Sequence, residues 1–215
     1  MKNTVTNQVF LPSRRALLAG MGGAALVAGL RPAAAQTPAS LALRARSLTA
    51  ALGAGLPNSQ IWGLEGANPG PLRFGKGDLS VTLTNELPAP IVLNWLGIDG
   101  AASAEPLTGQ APVPPGGRTT FTLPLRQAGT ALINAQLLGD ASGRPVAGRA
   151  LIIEDNPAIA VDRDEVLLIE DWRLKADGTA LPPGQPVGDA ATLYTVNGQP
   201  NWTIAARANE RLRLR

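Results

Sequence analysis

The chain has 215 residues, 45% of them hydrophobic and 16% charged, which is enough for one domain with a sizeable core and part of a second. It contains no His and no Cys, and this excludes a Ser-His-Asp triad, a cysteine nucleophile, an ordinary zinc site and any disulfide support. Gly 24 and Pro 19 against three Phe and one Tyr favour many turns and short strands, hence an all-β class.

Residues 1–35 read as an export signal. Lys2, Arg14 and Arg15 precede an apolar run from Ala16 to Leu30, and Ala33-Ala34-Ala35 offers a small-residue cleavage site before Gln36. Ser13-Arg14-Arg15-Ala16-Leu17-Leu18 resembles a twin-arginine motif, so the expected partner is the twin-arginine export machinery, the expected location the periplasm and the expected cleavage after Ala35. The glycine-broken apolar run is shorter than the roughly 20 residues that span a bilayer, so no stable membrane span is expected after cleavage. This leader holds four of the 19 basic residues and none of the 16 acidic ones. The remainder is close to neutral, which gives no basis for nucleic-acid binding. Its one basic cluster, Arg207, Arg211, Arg213 and Arg215, alternates with Leu212 and Leu214 and reads as a solvated strand face.

From Gln36 to Gly53 the pattern fits an amphipathic helix at helical spacing and a pair of short strands at period two. Gln60 to Glu65 reads as a strand, and Asn68-Pro69-Gly70-Pro71 turns the chain before Leu72 to Phe74. After the turn Gly75-Lys76-Gly77-Asp78, Leu79, Val81 and Leu83 alternate with Ser80, Thr82 and Thr84, the signature of a half-buried strand. The apolar run Ile91 to Trp95 reads as its paired neighbour across a turn marked by Pro88 and Pro90. Asp99 to Gly117 is a loop crossing between sheets, kept out of a ladder by Pro112, Pro114 and Pro115. Arg118 to Pro124 alternates again, whereas Gly129 to Leu138 is more continuously apolar, as in a strand buried on both faces. Ala150 to Glu154 and Glu165 to Arg173 complete about eight to ten strands at β-sandwich spacing. Glu154-Asp155 and Asp162 to Glu165 lack the spacing of a calcium loop and read as a solvated turn. Trp62, Trp95 and Trp172 read as core packing.

The stretch 61–97 carries Pro-Gly-Pro at 69–71, the basic Gly-Asp turn at 75–78, Asn85-Glu86-Leu87 and then Asn94-Trp95-Leu96-Gly97. In this it resembles the first cupredoxin (plastocyanin-like) domain of multicopper oxidases, where the same run leads into a copper-binding His-Trp-His-Gly. The resemblance implies a Greek-key β-sandwich over 36–173, a linker over 174–191 and, over 192–215, the first strands of an incomplete second cupredoxin-like domain. It also implies a second ligand pair in a Gly-Thr-x-x-x-His-x-His segment, which here reads Gly129-Thr130-Ala131-Leu132-Ile133-Asn134-Ala135-Gln136. The former copper-ligand positions are therefore Asn94, Leu96, Asn134 and Gln136. Amide oxygens bind copper far more weakly than imidazole and leucine cannot bind it, so no copper, no other metal and no catalytic residue is expected. The functional expectation is a non-catalytic binding or scaffold module with a protein partner in the periplasm. The alternatives are the N-terminal fragment of a periplasmic copper-dependent oxidoreductase whose gene is truncated or split, and a carboxylate- or lipid-binding pocket in the sandwich.

Overall fold

Strand β1 (Ala39–Ala50) is a single element of 12 residues, where the sequence admits a helix or two short strands. Its length follows from its two partners. The first half runs parallel to β4 (Gly77–Asn85), from Ala39↔Leu79 to Ala45↔Asn85, and the second half runs antiparallel to β2 (Ser59–Glu65), from Arg44↔Glu65 to Ala50↔Ser59. Leu41, Leu43 and Ala45 face the main core, whereas Leu48 and Ala50 face a second apolar cluster, so a simple period-two count over the whole segment fails. With β6 (Arg118–Leu125) these strands form one sheet, in the order β2-β1-β4-β6. The computed structural model describes residues 39–68, 70–138, 143–182 and 184–215, and the export leader expected at 1–35 lies outside the described residues.

The second sheet has the order β3-β8-β7-β5, built from β3 (Leu72–Phe74), β5 (Ile91–Leu96), β7 (Gly129–Leu137) and β8 (Arg149–Ile153). The alternating strand β4 and the run β5 are not paired with each other. The turn at Pro88 and Pro90 carries the chain from one sheet to the other, because β4 finds β1 and β6 while β5 finds β7. Asn85 anchors this crossing. Fully buried, its amide donates to the carbonyls of Ala89 at 2.8 Å and Val113 at 2.9 Å and accepts from Leu87 N–H at 2.9 Å. The loop after β5 protects the edge of the sheet, since Val113 exchanges two backbone hydrogen bonds with Ile91 and Gln110 donates to the Leu93 carbonyl.

Between the sheets lies the core, where Leu43, Leu79, Val81, Leu83, Ile91, Leu93, Leu123, Ile133 and Leu151 are all essentially without solvent contact. Burial on both faces is found in β8 and not in β7. Leu151 and Ile153 of β8 face the core, while Ala150 and Ile152 lie under Val166 on the outer side. In β7 the buried residues Ala131, Ile133 and Ala135 alternate with the more exposed Leu132, Asn134 and Gln136.

The stretch expected as one strand from Glu165 to Arg173 is interrupted, giving β9 (Arg163–Glu165) and β10 (Ile169–Leu174). Strand β9 pairs in parallel with β12 (Leu212–Leu214), and β10 pairs antiparallel with β11 (Ala191–Val196). This repeats the arrangement of β1, which is also parallel to one partner through its first half and antiparallel to another through its second. The 192–215 segment is thereby docked, within one compact unit with the rest of the described residues. Leu52, Ile61, Trp172, Leu174 and Ala180 form the second cluster, on the opposite face of β1 and β2 from the main core.

Of the four arginines read as a solvated face, Arg207 and Arg211 are exposed, but Arg213 is half-buried and Arg215 is not solvated. The Arg215 side chain is 3% exposed; its Nε donates to Asp164 Oδ1 at 2.6 Å and its Nη2 to Asp164 Oδ2 at 2.7 Å. Arg213 and Arg215 both reach Asp155. Of the acidic residues read as a solvated turn, Asp155 and Asp164 are the counter-charges of Arg213 and Arg215, and the β9–β12 ladder sets Asp164 opposite Arg213.

Candidate functional site

The four positions where the resemblance places copper ligands converge on one patch. Strands β5 and β7 are antiparallel with Asn94 directly opposite Asn134, Leu96 opposite Leu132 and Val92 opposite Gln136. Alternation sends Trp95 and Ile133 into the core, where they are 3% and 0% exposed, so Asn94, Leu96, Asn134 and Gln136 all project from the outer face of this sheet. Directly opposed residues hold their Cβ atoms roughly 4.5–5.5 Å apart, close enough for two side chains to share a small ligand. Leu96 is half exposed, Gln136 is exposed, and the two asparagines are half-buried. Among the described residues none of these three amides makes a side-chain hydrogen bond.

The tryptophans pack as expected. Trp95 meets Phe121 edge-on, with centroids 6.3 Å apart and planes at 81°, and Trp62 is buried in the main core. Trp172 is buried in the second cluster and donates from Nε1 to Thr195 Oγ1 at 2.9 Å. Asp171 and Arg173 share the opposite face of β10 and approach to 3.6 Å.

Asn134 also opens onto a cavity of about 380 Å³ between β7, the segment leading into β8, and β10. Its apolar walls include Leu132, Val146, Leu168 and Leu181. Glu170 stands in this wall, and Gly148 N–H donates to its Oε1 at 3.1 Å. Burial pushes the Glu170 carboxyl up, against the smaller opposing effect of the Gly148 hydrogen bond, and no cation lies within ion-pair distance of it among the described residues. Sequence reading missed this residue. The signal was present, because placing Asp171 and Arg173 on one face puts Glu170 on the face of the buried Trp172.

Comparison with known proteins agrees with the architecture. Residues 48–157 match the family model described as multicopper oxidase. The chain belongs to the multicopper oxidase family. Its structure is similar to that of a multi-copper oxidase from Pseudomonas thermotolerans, at 24% identity and a TM-score of 0.63, covering 77% of this chain and 42% of that one. It is also similar to a multi-copper oxidase from Pseudomonas parafulva, at 25% identity and a TM-score of 0.61, covering 74% of this chain and 41% of that one. Lac15 from a marine microbial metagenome matches at 24% identity and a TM-score of 0.60, over 83% of this chain and 46% of that one. The chain thus spans less than half the length of these solved structures. No curated protein matches it by sequence.

The donors at the four positions do not fit the copper of a multicopper oxidase. Two asparagines, a glutamine and a leucine offer neutral amide oxygens and a hydrocarbon, and neither supplies the strongly bound, directionally fixed imidazoles on which a copper cluster depends. Among the described residues no group of three or more Asp or Glu side chains is placed to hold a metal ion instead.

Proposed function

We propose that this member of the multicopper oxidase family is an exported protein that acts by binding and not by copper-dependent oxidation. The observation that carries the reading is the Asn94↔Asn134 pair, with Leu96 and Gln136 beside it, on the patch where the resemblance places the ligands. The four side chains share one sheet face and lack the imidazole donors that the resemblance places there. Copper loading followed by dialysis and metal analysis, together with a dioxygen-uptake assay, tests this directly. Less than stoichiometric copper and no turnover above a denatured control are expected, and retained stoichiometric copper or measurable turnover would return the chain to the oxidases.

Export is part of the proposal and rests on Arg14, Arg15 and the site after Ala35. Replacing both arginines with lysine should leave the precursor inside the cell, and unchanged delivery to the periplasm would reject the twin-arginine route. The repeat of the β1 pairing pattern in β9 to β12 supports reading 192–215 as the opening of a second cupredoxin-like domain, joined through 174–191.

A second reading takes the chain as the N-terminal part of a copper-dependent oxidoreductase encoded by a truncated or split gene. It draws support from the 42% coverage of the Pseudomonas thermotolerans enzyme. The DNA downstream decides between the two, since a continuing or shifted frame encoding His-Cys-His favours the oxidase fragment.

A further inference from the structure

The free edge of β10 lies along the cavity that contains Glu170. In the β10–β11 ladder Leu168 accepts from Asn197 N–H at 2.8 Å and its own N–H donates to Asn197 Oδ1 at 2.9 Å, so the even-numbered residues turn their backbone groups toward β11. Antiparallel pairing alternates, and Ile169, Asp171 and Arg173 therefore turn their N–H and C=O groups the other way. Arg173 confirms this, because its carbonyl accepts from Leu181 N–H at 2.6 Å on that side. Among the described residues the N–H and C=O of Ile169 and Asp171 have no such partner, and both residues line the cavity.

We propose that this edge takes an extended segment of a partner protein as an added antiparallel or parallel strand, with a lysine or arginine of that segment directed at Glu170. Three features select this occupant. The unpaired backbone groups at Ile169 and Asp171 are spaced as one strand reads another. Leu132, Val146, Leu168 and Leu181 supply apolar walls for the aliphatic part of a long side chain. Asp171 is matched by Arg173, which leaves Glu170 as the uncompensated charge, so the cavity favours a cation. The Asn134 amide, on the facing wall, offers a carbonyl oxygen as a further acceptor for an ammonium or guanidinium.

This inference rests on the binding role proposed above but is tested apart from it, because a copper-free protein that binds no peptide sinks only the inference. The full chain is titrated into a fluorescein-labelled nonapeptide of alternating valine and threonine with one central lysine, and binding is read by anisotropy. Parallel titrations use the same peptide with glutamate in place of lysine and with alternate amides N-methylated. The lysine peptide should bind at least about tenfold tighter than the glutamate peptide, and N-methylation on the pairing edge should abolish binding. Amide exchange at Ile169 and Asp171 should slow on binding. Glu170→Gln, which keeps an acceptor for Gly148 N–H, should remove the lysine preference, and Asp171→Pro should weaken every peptide by deleting an edge N–H outside the β11 ladder. Equal affinity for the lysine and glutamate peptides, tolerance of N-methylation, or spermidine binding as tightly as the lysine peptide would each overturn the proposal.

Discussion

Replacing Asn85 with alanine should be among the most damaging single changes in this chain, out of proportion to the few atoms removed. The side chain is fully buried and makes three hydrogen bonds of 2.8 to 2.9 Å, to Ala89, Val113 and Leu87. Val113 keeps its bond from Ile91 N–H, so its carbonyl loses least, whereas the Ala89 carbonyl and the Leu87 N–H are orphaned inside the protein. Each buried group left unpaired costs about 1–3 kcal/mol, and the total comes to roughly 3–5 kcal/mol. At about 2–4 °C per kcal/mol for a chain of this size, the midpoint of thermal unfolding should fall by roughly 6–20 °C. Urea denaturation at pH 7 measures the energy, and Asn85→Asp supplies the control. That variant keeps the acceptor for Leu87 but turns a carboxylate oxygen toward two carbonyls, so it should be as unstable as the alanine variant at pH 7. It should recover in part below about pH 5, where a protonated oxygen can donate. A cost under about 1 kcal/mol for Asn85→Ala, or an Asp variant as stable as the parent at neutral pH, would refute the reasoning.

The charged cluster at β12 should respond to acid. The hydrogen bond from Arg213 holds the Asp155 carboxyl below its ordinary range, and that from Arg215 does the same for Asp164. A carboxyl depressed in the folded state stabilises above its unfolded pKa of about 3.9 and loses that contribution as pH falls through the lower folded value. The protection of the Leu167 and Arg215 amides, whose backbones bond across this junction, relative to their intrinsic exchange rates should therefore fall below about pH 4 and, in Arg215→Met, be lower at every pH. Protection that is unchanged in both tests would contradict it. Gly97 has φ +95° and an added Cβ would lie 3.1 Å from the Thr130 carbonyl oxygen, so Gly97→Ala should cost about 1–3 kcal/mol in urea denaturation. A neutral substitution there would show that the β5–β7 end can shift.

What the sequence makes legible here is whatever depends on near neighbours. Leu79, Val81 and Leu83 announce β4 because solvent and core alternate along one strand, and the turns at 68–71 and 75–78 follow from glycine and proline. That Asn94 shares a face with Leu96, and Asn134 with Gln136, was equally legible, since each needs only the period of a strand, whereas the meeting of the two pairs on one sheet comes from the β5–β7 pairing. Partner choice is different. That β4 avoids β5 and joins β1 and β6 depends on register between segments some 40 residues apart, and no local pattern encodes it. The same holds for Arg215, which reads as solvated until Asp155 and Asp164 are brought beside it, and for β8, whose outer face is apolar because Val166 returns to cover it.

The parallel pairing of β3 with β8 also bears on the order in which the chain can acquire structure as it is made. Leu72 to Phe74 have no ladder until Leu151 to Ile153 exist, and β7 must lie between β8 and β5. The sheet of β1, β2, β4 and β6 is complete once Leu125 has been synthesised, but Ile153, 28 residues later, is the end of the sheet that covers it. At roughly 5–20 residues per second, the inner faces of Leu43, Leu79, Val81 and Leu83 stay uncovered for about 1–6 s of every synthesis. A nascent chain arrested after residue 125 should accordingly bind a hydrophobic dye or a chaperone that the finished protein ignores.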